Sequence, residues 1–204
     1  MDKHQQKWNK RYAGSDLVWS AEPNVLFASE VADLVPGRAL DVGCGEGRNA
    51  IWLAEKGWEV TAIDFAEEGI GKAVRIADKK GLAVNWVVAD VAEMSLAQFD
   101  LVAVLYFHTG PDERLVWLPK VVDFIAPGGT LIYVGHDPTN IDGGVGGPQD
   151  PELLSSVDEI TGYLKSFSIE DARVVERNLK QEQGHGTATE GVAMDAFVRA
   201  KRVS

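Results

Sequence analysis

Three glycines at alternate positions, Gly43, Gly45 and Gly47, lie in the stretch Leu40-Asp41-Val42-Gly43-Cys44-Gly45-Glu46-Gly47-Arg48-Asn49, between an apolar run and a helix-like segment. A strand feeding such a turn lets the backbone curve tightly and lets a ligand lie against bare main chain, with the N–H groups of the following helix facing it. Glycines alone are equally consistent with a plain strand-to-helix turn. Two acids add to them. Asp64 closes the apolar run Glu59-Val60-Thr61-Ala62-Ile63, and Asp90 follows the run Val84-Asn85-Trp86-Val87-Val88. In an open parallel sheet the ligand crevice lies at the carboxyl ends of the strands, so all three features converge on one edge. There a carboxylate can accept hydrogen bonds from both hydroxyls of a ribose. Taken alone, Asp64 is equally a solvated turn residue and Asp90 a helix cap.

Groups able to handle a proton also lie where the sheet crevice should open. His108 follows a fourth apolar run, Phe99 to Leu105, in Tyr106-Phe107-His108-Thr109-Gly110, and His136 with Asp137 follows a fifth, Thr130 to Val134. Catalytic groups reach a ligand from such positions, although each histidine can also merely cap its strand or bond a loop carbonyl. Tyr106 competes as a wall residue. Cys44 reads as a small packed residue rather than a nucleophile, and His185 as solvated or part of a lid. Trp8 and Tyr12, four apart, share one face of an N-terminal helix. With Trp19 they either anchor the N-terminal segment or cover the site.

The elements that position these groups alternate. Apolar runs separated by amphipathic segments from Arg38 to Val134 predict βαβ units and a parallel sheet. The spacing predicts helices over Asn49–Lys56 and Glu67–Lys80, stopped by Gly57 and Gly81. A third helix, Asp112–Ile125, turns Leu115, Leu118, Val121, Val122 and Ile125 inward and is kinked or delayed by Pro119. Pro127-Gly128-Gly129 then turns the chain into strand five. Residues His136 to Pro151 are rich in Gly, Pro, Asp and Asn and predict an active-site loop. Ser156-Val157-Asp158-Glu159 fits a capping box opening a short helix through Leu164. Ile169–Val175 and Val192–Arg202 are β-like with no helix between them, which predicts an antiparallel hairpin across the polar loop Asn178–Glu190. Trp52, Trp58, Trp86 and Trp117 are assigned to packing.

The glycine spacing bears on the ligand. A dinucleotide fingerprint, G-x-G-x-x-G, would place a glycine where Arg48 stands. The sequence instead has G-x-G-x-G after Asp41, and here it resembles the class I S-adenosylmethionine (SAM)-dependent methyltransferases, whose first motif is E/D-x-G-x-G-x-G. The resemblance runs from about Trp8 to the C-terminus. It implies a Rossmann-like α/β three-layer sandwich with a seven-stranded, mostly parallel sheet and a reversed final strand, in agreement with the predicted hairpin. Carried over by position, it implies that Asp41, Gly43, Cys44, Gly45, Gly47 and Arg48 hold the methionine moiety and that Asp64, with Phe65 beside it, takes the ribose. Asp90 and the Val91 main chain would meet the adenine. Leu105 and Tyr106 would flank the methionine. The early Trp8-Asn9-Lys10-Arg11-Tyr12 with Trp19 looks like the branch containing tellurite-resistance and thiopurine methyltransferases, which act on small, often soft acceptors.

Methyl transfer from a sulfonium is an in-line displacement. A soft anion needs only positioning, whereas a hydroxyl or amine usually needs its proton removed. The candidates for that step are His108, His136 and Tyr106, and no metal is implied. The expected function is therefore SAM-dependent methylation of a small-molecule acceptor, with sulfur, selenium and tellurium nucleophiles among the candidates. The alternatives are an NAD-dependent oxidoreductase and a SAM-binding regulator without turnover. The 204 residues, 45% hydrophobic and 25% charged, suit one domain, with residues 1–36 as a helical cap on a core of 37–204. A net charge of −11 disfavours nucleic acid. The polar start and the single Cys44 suggest a cytoplasmic protein without a membrane partner, and the sequence is consistent with either a monomer or a homodimer.

Overall fold

The computed structural model describes residues 3–179 and 190–203. Helices α1 (Lys3–Tyr12) and α2 (Val25–Val31) precede β1 (Arg38–Val42), α3 (Arg48–Glu55), β2 (Glu59–Asp64), α4 (Glu67–Lys80), β3 (Asn85–Val88) and β4 (Phe99–Leu105). Then follow α5 (Pro111–Asp123), β5 (Ile125–His136), α6 (Asn140–Gly143), α7 (Val157–Gly162), β6 (Phe167–Asn178) and β7 (Val192–Arg202). The seven strands form one sheet in the order β3-β2-β1-β4-β5-β7-β6. The first five are parallel, and β7 runs antiparallel between β5 and β6. The order reverses between β1 and β4, which places the switch-point crevice beside the glycine turn.

Apolar layers cover both faces of the sheet. Phe27, Leu53, Trp58 and Phe197 pack on one side; Trp117, Leu118, Val121 and Ile160 pack on the other. The βαβ pattern, the α4 boundaries and the terminal hairpin agree with the sequence expectation. Strand β7 has both faces buried because it is not an edge strand, and this accommodates Phe197, which disturbs a simple polar–apolar alternation.

Several local expectations are corrected. Pro127-Gly128-Gly129 lies within β5 as an irregularity: pairing passes from Phe99↔Ile125 to Leu101↔Thr130, and Gly128 takes a φ of +77° there. Helix α5 begins at Pro111 and runs unbroken through Pro119, so its start is not delayed, and its buried face is Arg114, Trp117, Leu118 and Val121, leaving Leu115 exposed. Arg114 explains the rotation. Its guanidinium reaches the carbonyls of Thr109 (2.6 Å), Glu152 (3.1 Å) and Leu154 (3.2 Å) and the Glu159 carboxylate (2.7 Å), so a charged side chain with all these partners is stable inside. That engagement also leaves the capping box half-formed: Ser156 Oγ accepts from Glu159 N, while the Glu159 carboxylate turns to Arg114. The loop after β5 contains α6 and a 3₁₀ turn over Pro151–Leu153. His185 and most of the polar loop before β7 lie outside the described residues. Among the described residues no helix is long and apolar enough to cross a membrane.

Candidate functional site

The turn from β1 to α3 has Gly43, Gly45 and Gly47 at φ +68°, +53° and +74°, a region that side-chain-bearing residues rarely adopt. The space is equally restrictive. A Cβ at Gly43 would lie 2.6 Å from the Phe107 ring, at Gly45 2.7 Å from the Tyr12 hydroxyl, and at Gly47 2.6 Å from the Trp86 ring. The N–H groups of Gly43 and Cys44 both donate to the Ile63 carbonyl, at 2.8 and 3.0 Å, which ties the turn to β2.

Asp64 at the end of β2 organises the same turn, accepting from Gly45 N and Ala66 N at 2.8 Å each. A carboxylate only accepts hydrogen bonds, the chemistry that suits sugar hydroxyls. A small cleft beside it is lined by Gly43, Asp64, Phe65, Val91 and Phe107 among others. Asp41 is 1% exposed, and its Oδ2 is buried without a hydrogen-bond partner. Burial raises its carboxyl to about 7, against the lowering influence of the Ala50 backbone and Arg48. Burial likewise pushes the Cys44 thiol up, so this sulfur packs rather than attacks. The exposed Asp90 caps the 3₁₀ turn Val91–Glu93 through Ala92 N at 2.9 Å, while Val91 is buried against the cleft. Bare backbone, an unsatisfied buried oxygen and a sugar-competent acid fit a nucleoside-bearing ligand such as SAM.

The N-terminal segment both anchors and covers this turn. Trp8 stacks on Tyr12 at 5.7 Å, Arg11 lies between the Trp8 and Trp19 rings, and Trp19 Nε1 donates to the Tyr12 hydroxyl at 3.3 Å. Beneath it is an ion pair that sequence reasoning missed. Glu46, inside the glycine turn, accepts from Lys72 Nζ at 2.9 Å and from the N–H groups of Val18 and Trp19. Lys72 also donates to the Asp16 carbonyl. The available signal was Lys72 itself, which falls between Ile70 and Ala73 on the buried side of α4.

The second half of the site lies at the ends of β4, β5 and β7. Leu105 is buried, and the next residue, Tyr106, is the only non-glycine residue with positive φ among those described, at +53°. That conformation turns its ring toward His136 (centroids 5.2 Å apart) and His108 (6.2 Å). The two imidazoles stack at 5.3 Å and 10°. Nδ1 of His108 lies 3.3 Å from the Leu153 carbonyl, and burial, aided by His136, lowers its pKa to about 3. His136 Nδ1 is buried without a formed hydrogen bond but lies 3.0 Å from Asp195, whose carboxylate accepts from the Tyr106 hydroxyl (2.7 Å) and Arg177 Nε (2.5 Å). The three acceptor-side residues named from the sequence therefore come together. Phe107, Arg177 and Asp195 complete the surroundings and were not foreseen: the first was passed over within the motif, and the other two lie on strands that read as purely structural.

A family model described as "Methyltransferase domain" matches residues 39–129. The chain is 33% identical over 156 residues to the 2-heptyl-1-hydroxyquinolin-4(1H)-one methyltransferase of Mycobacteroides abscessus, covering 69% of this chain and 67% of that protein. It is 26% identical over 174 residues to thiocyanate methyltransferase 1 of Arabidopsis thaliana, covering 80% and 75%. Among solved structures, the N-methyltransferase NodS of Bradyrhizobium japonicum in complex with S-adenosyl-L-homocysteine superposes with a TM-score of 0.74 at 18% identity over the whole of both chains. TehB of Haemophilus influenzae superposes with 0.72 at 18% identity, over 98% of this chain and 67% of that one.

Proposed function

The chain belongs to the SAM-dependent methyltransferases, and from that premise we propose that it methylates a small molecule held between Tyr106, His108 and His136. SAM is the methyl donor, which disposes of the dinucleotide and non-catalytic alternatives. The observation that carries the acceptor site is the convergence of the two stacked imidazoles and Tyr106 at the ends of β4 and β5, beside the glycine turn.

In this reading the Gly43–Gly47 backbone, Asp41, Cys44 and Arg48 hold the methionine portion, and Asp64, with Phe65, takes the ribose. Asp90 and Val91 border the adenine, and Leu105 flanks the sulfur. When bound, the cofactor supplies an electrophilic methyl group. The protein's own contribution is alignment and exclusion of water. Residues 1–36 act as a cap that closes Tyr12 and Trp19 over the core formed by 37–204. The acidic surface keeps nucleic acid away, and the single cysteine suits a cytoplasmic monomer or homodimer.

A soft acceptor, such as a thiolate, thiocyanate or tellurium oxyanion, has the support of the thiocyanate methyltransferase relative and of the likeness to TehB. The hydroxyquinolinone relative supports a heteroaromatic one. A radiolabelled methyl screen over hydroxyls, thiols, oxyanions and amines tests the proposal. Methylation of at least one class, lost on replacing His136 and Tyr106, is expected; transfer that is indifferent to both residues would overturn the placement of the acceptor.

A further inference from the structure

The hydrogen-bond polarity of the acceptor pocket distinguishes the two kinds of acceptor; the inference rests on the placement of the acceptor proposed above. Strand pairing sets His136 of β5 directly opposite Asp195 of β7, with Arg177 of β6 two residues along from Val175, the other partner of Asp195. Asp195 is 1% exposed, and it is held as a carboxylate below its ordinary range: burial opposes ionisation, but His136 and Arg177 outweigh it. An ionised carboxylate only accepts hydrogen bonds, so the His136 Nδ1 facing it carries the hydrogen. A carbonyl also only accepts, so His108 Nδ1, facing Leu153 O, carries its hydrogen too.

When hydrogen sits on Nδ1 alone, each ring presents Nε2 as a lone pair. Among the described residues neither Nε2 is hydrogen-bonded. Gly147 packs against the His136 ring, where a Cβ would lie 2.6 Å from Nε2, so only glycine fits beside the imidazole. The other charged or titratable groups around the pair are Tyr106, Arg177, Asp195 and the adjacent Asp137, with Arg114 acting on His108 from α5. Arg177 is neutralised by Asp195 and stacks over the Tyr106 ring at 5.2 Å.

Aromatic rings bearing two lone pairs, beside an arginine already paired with a carboxylate, suit a planar ligand that donates a proton. We infer that the acceptor is a neutral aromatic or heteroaromatic hydroxyl compound, with His136 Nε2 receiving its proton and Asp195, braced by Arg177, as the positioning residue. As the acceptor oxygen bonds to the methyl carbon and the carbon–sulfur bond of the bound sulfonium breaks, the O–H bond breaks and its proton moves to His136 Nε2. The products are the methyl ether, a neutral thioether and an imidazolium stabilised by Asp195, which returns the proton to solvent. A bare anion such as thiocyanate would meet two lone pairs and gain nothing from this arrangement.

The test uses the protein with SAM and four probes: 4-methylphenol, thiophenol, thiocyanate and aniline. The expected result is methylation of 4-methylphenol alone or by at least tenfold over the others. His136→Gln should lower kcat more than a hundredfold, with the affinity for S-adenosylhomocysteine within twofold of the parent. Asp195→Asn should lower kcat with KM little changed and shift the acidic limb of the pH–rate profile. Should that variant fail to fold, nitrogen-15 NMR of the unaltered protein reads the same feature directly, as a neutral His136 with hydrogen on Nδ1. Preferred methylation of thiocyanate, thiophenol or aniline, or hydrogen on Nε2, would overturn the hydroxyl inference while leaving the methyltransferase reading intact. Binding of S-adenosylhomocysteine with no probe methylated would overturn both the hydroxyl inference and the placement of the acceptor.

Discussion

Asp64 already holds two backbone N–H groups, so its replacement both loosens the Gly45 turn and removes an acceptor for the sugar. Asp64→Ala should weaken SAM by about 1–3 kcal/mol in calorimetry, the usual cost of losing charge-assisted hydrogen bonds. Unchanged affinity would place the ribose elsewhere. Asp41 and His108 affect stability in opposite directions. With an ordinary value of 3.8 raised to about 7, Asp41 keeps a proton that the unfolded chain releases, so its contribution falls as pH rises from about 4 to 7. His108, lowered from 6.5 to about 3, refuses a proton that the unfolded chain accepts, so its contribution is lost as pH falls through the same window. Asp41→Asn should leave only the histidine slope. Urea unfolding would then show stability rising with pH from 4 to 6.5 more steeply than in the parent, by on the order of 1 kcal/mol or more; parallel curves would contradict the burial effect. The glycines and Asp64 were legible in the sequence because their types are unusual where they stand. Asp195 and Arg177 were not, because an acid and a base on separate strands reveal their pairing only through strand register.

At the scale of elements, the Glu46–Lys72 pair joins α4, the glycine turn and the N-terminal segment. Removing one partner of a buried pair leaves an uncompensated charge, so Lys72→Met should cost about 3–5 kcal/mol. It should also expose Lys7, Lys10 and Arg11 to trypsin. Pairing it with Glu46→Gln should recover much of the loss, and a mild single variant whose cap stays resistant would show that the pair does not hold the cap. Ser156→Ala should cost about 1 kcal/mol in the same denaturation assay, since Ser156 caps α7 through Glu159 N. Helix α4 was read correctly to its ends because its amphipathic period and the left-handed Gly81 agree. Helix α5 was read a residue out of phase because an arginine with four internal partners is indistinguishable in sequence from a solvated one.

For the whole molecule, the βαβ order and the absence of a helix between the last two strands were enough to predict a parallel sheet ending in a reversed hairpin. The sequence did not show that β7 inserts between β5 and β6, and this insertion brings Asp195 to the pocket. A ligand bound only by the folded state stabilises it by mass action. S-adenosylhomocysteine at a hundred times its Kd should therefore add about 2.7 kcal/mol, raising Tm by about 5–10 °C in a domain of this size, with no effect from NAD. The most direct test of the central claim is a crystal structure of the complex with S-adenosylhomocysteine. The ribose hydroxyls should lie within hydrogen-bond distance of the Asp64 carboxylate, and the amino-acid end should run along Gly43–Gly47. A sugar remote from Asp64, or a ligand bound away from the glycine turn, would contradict it.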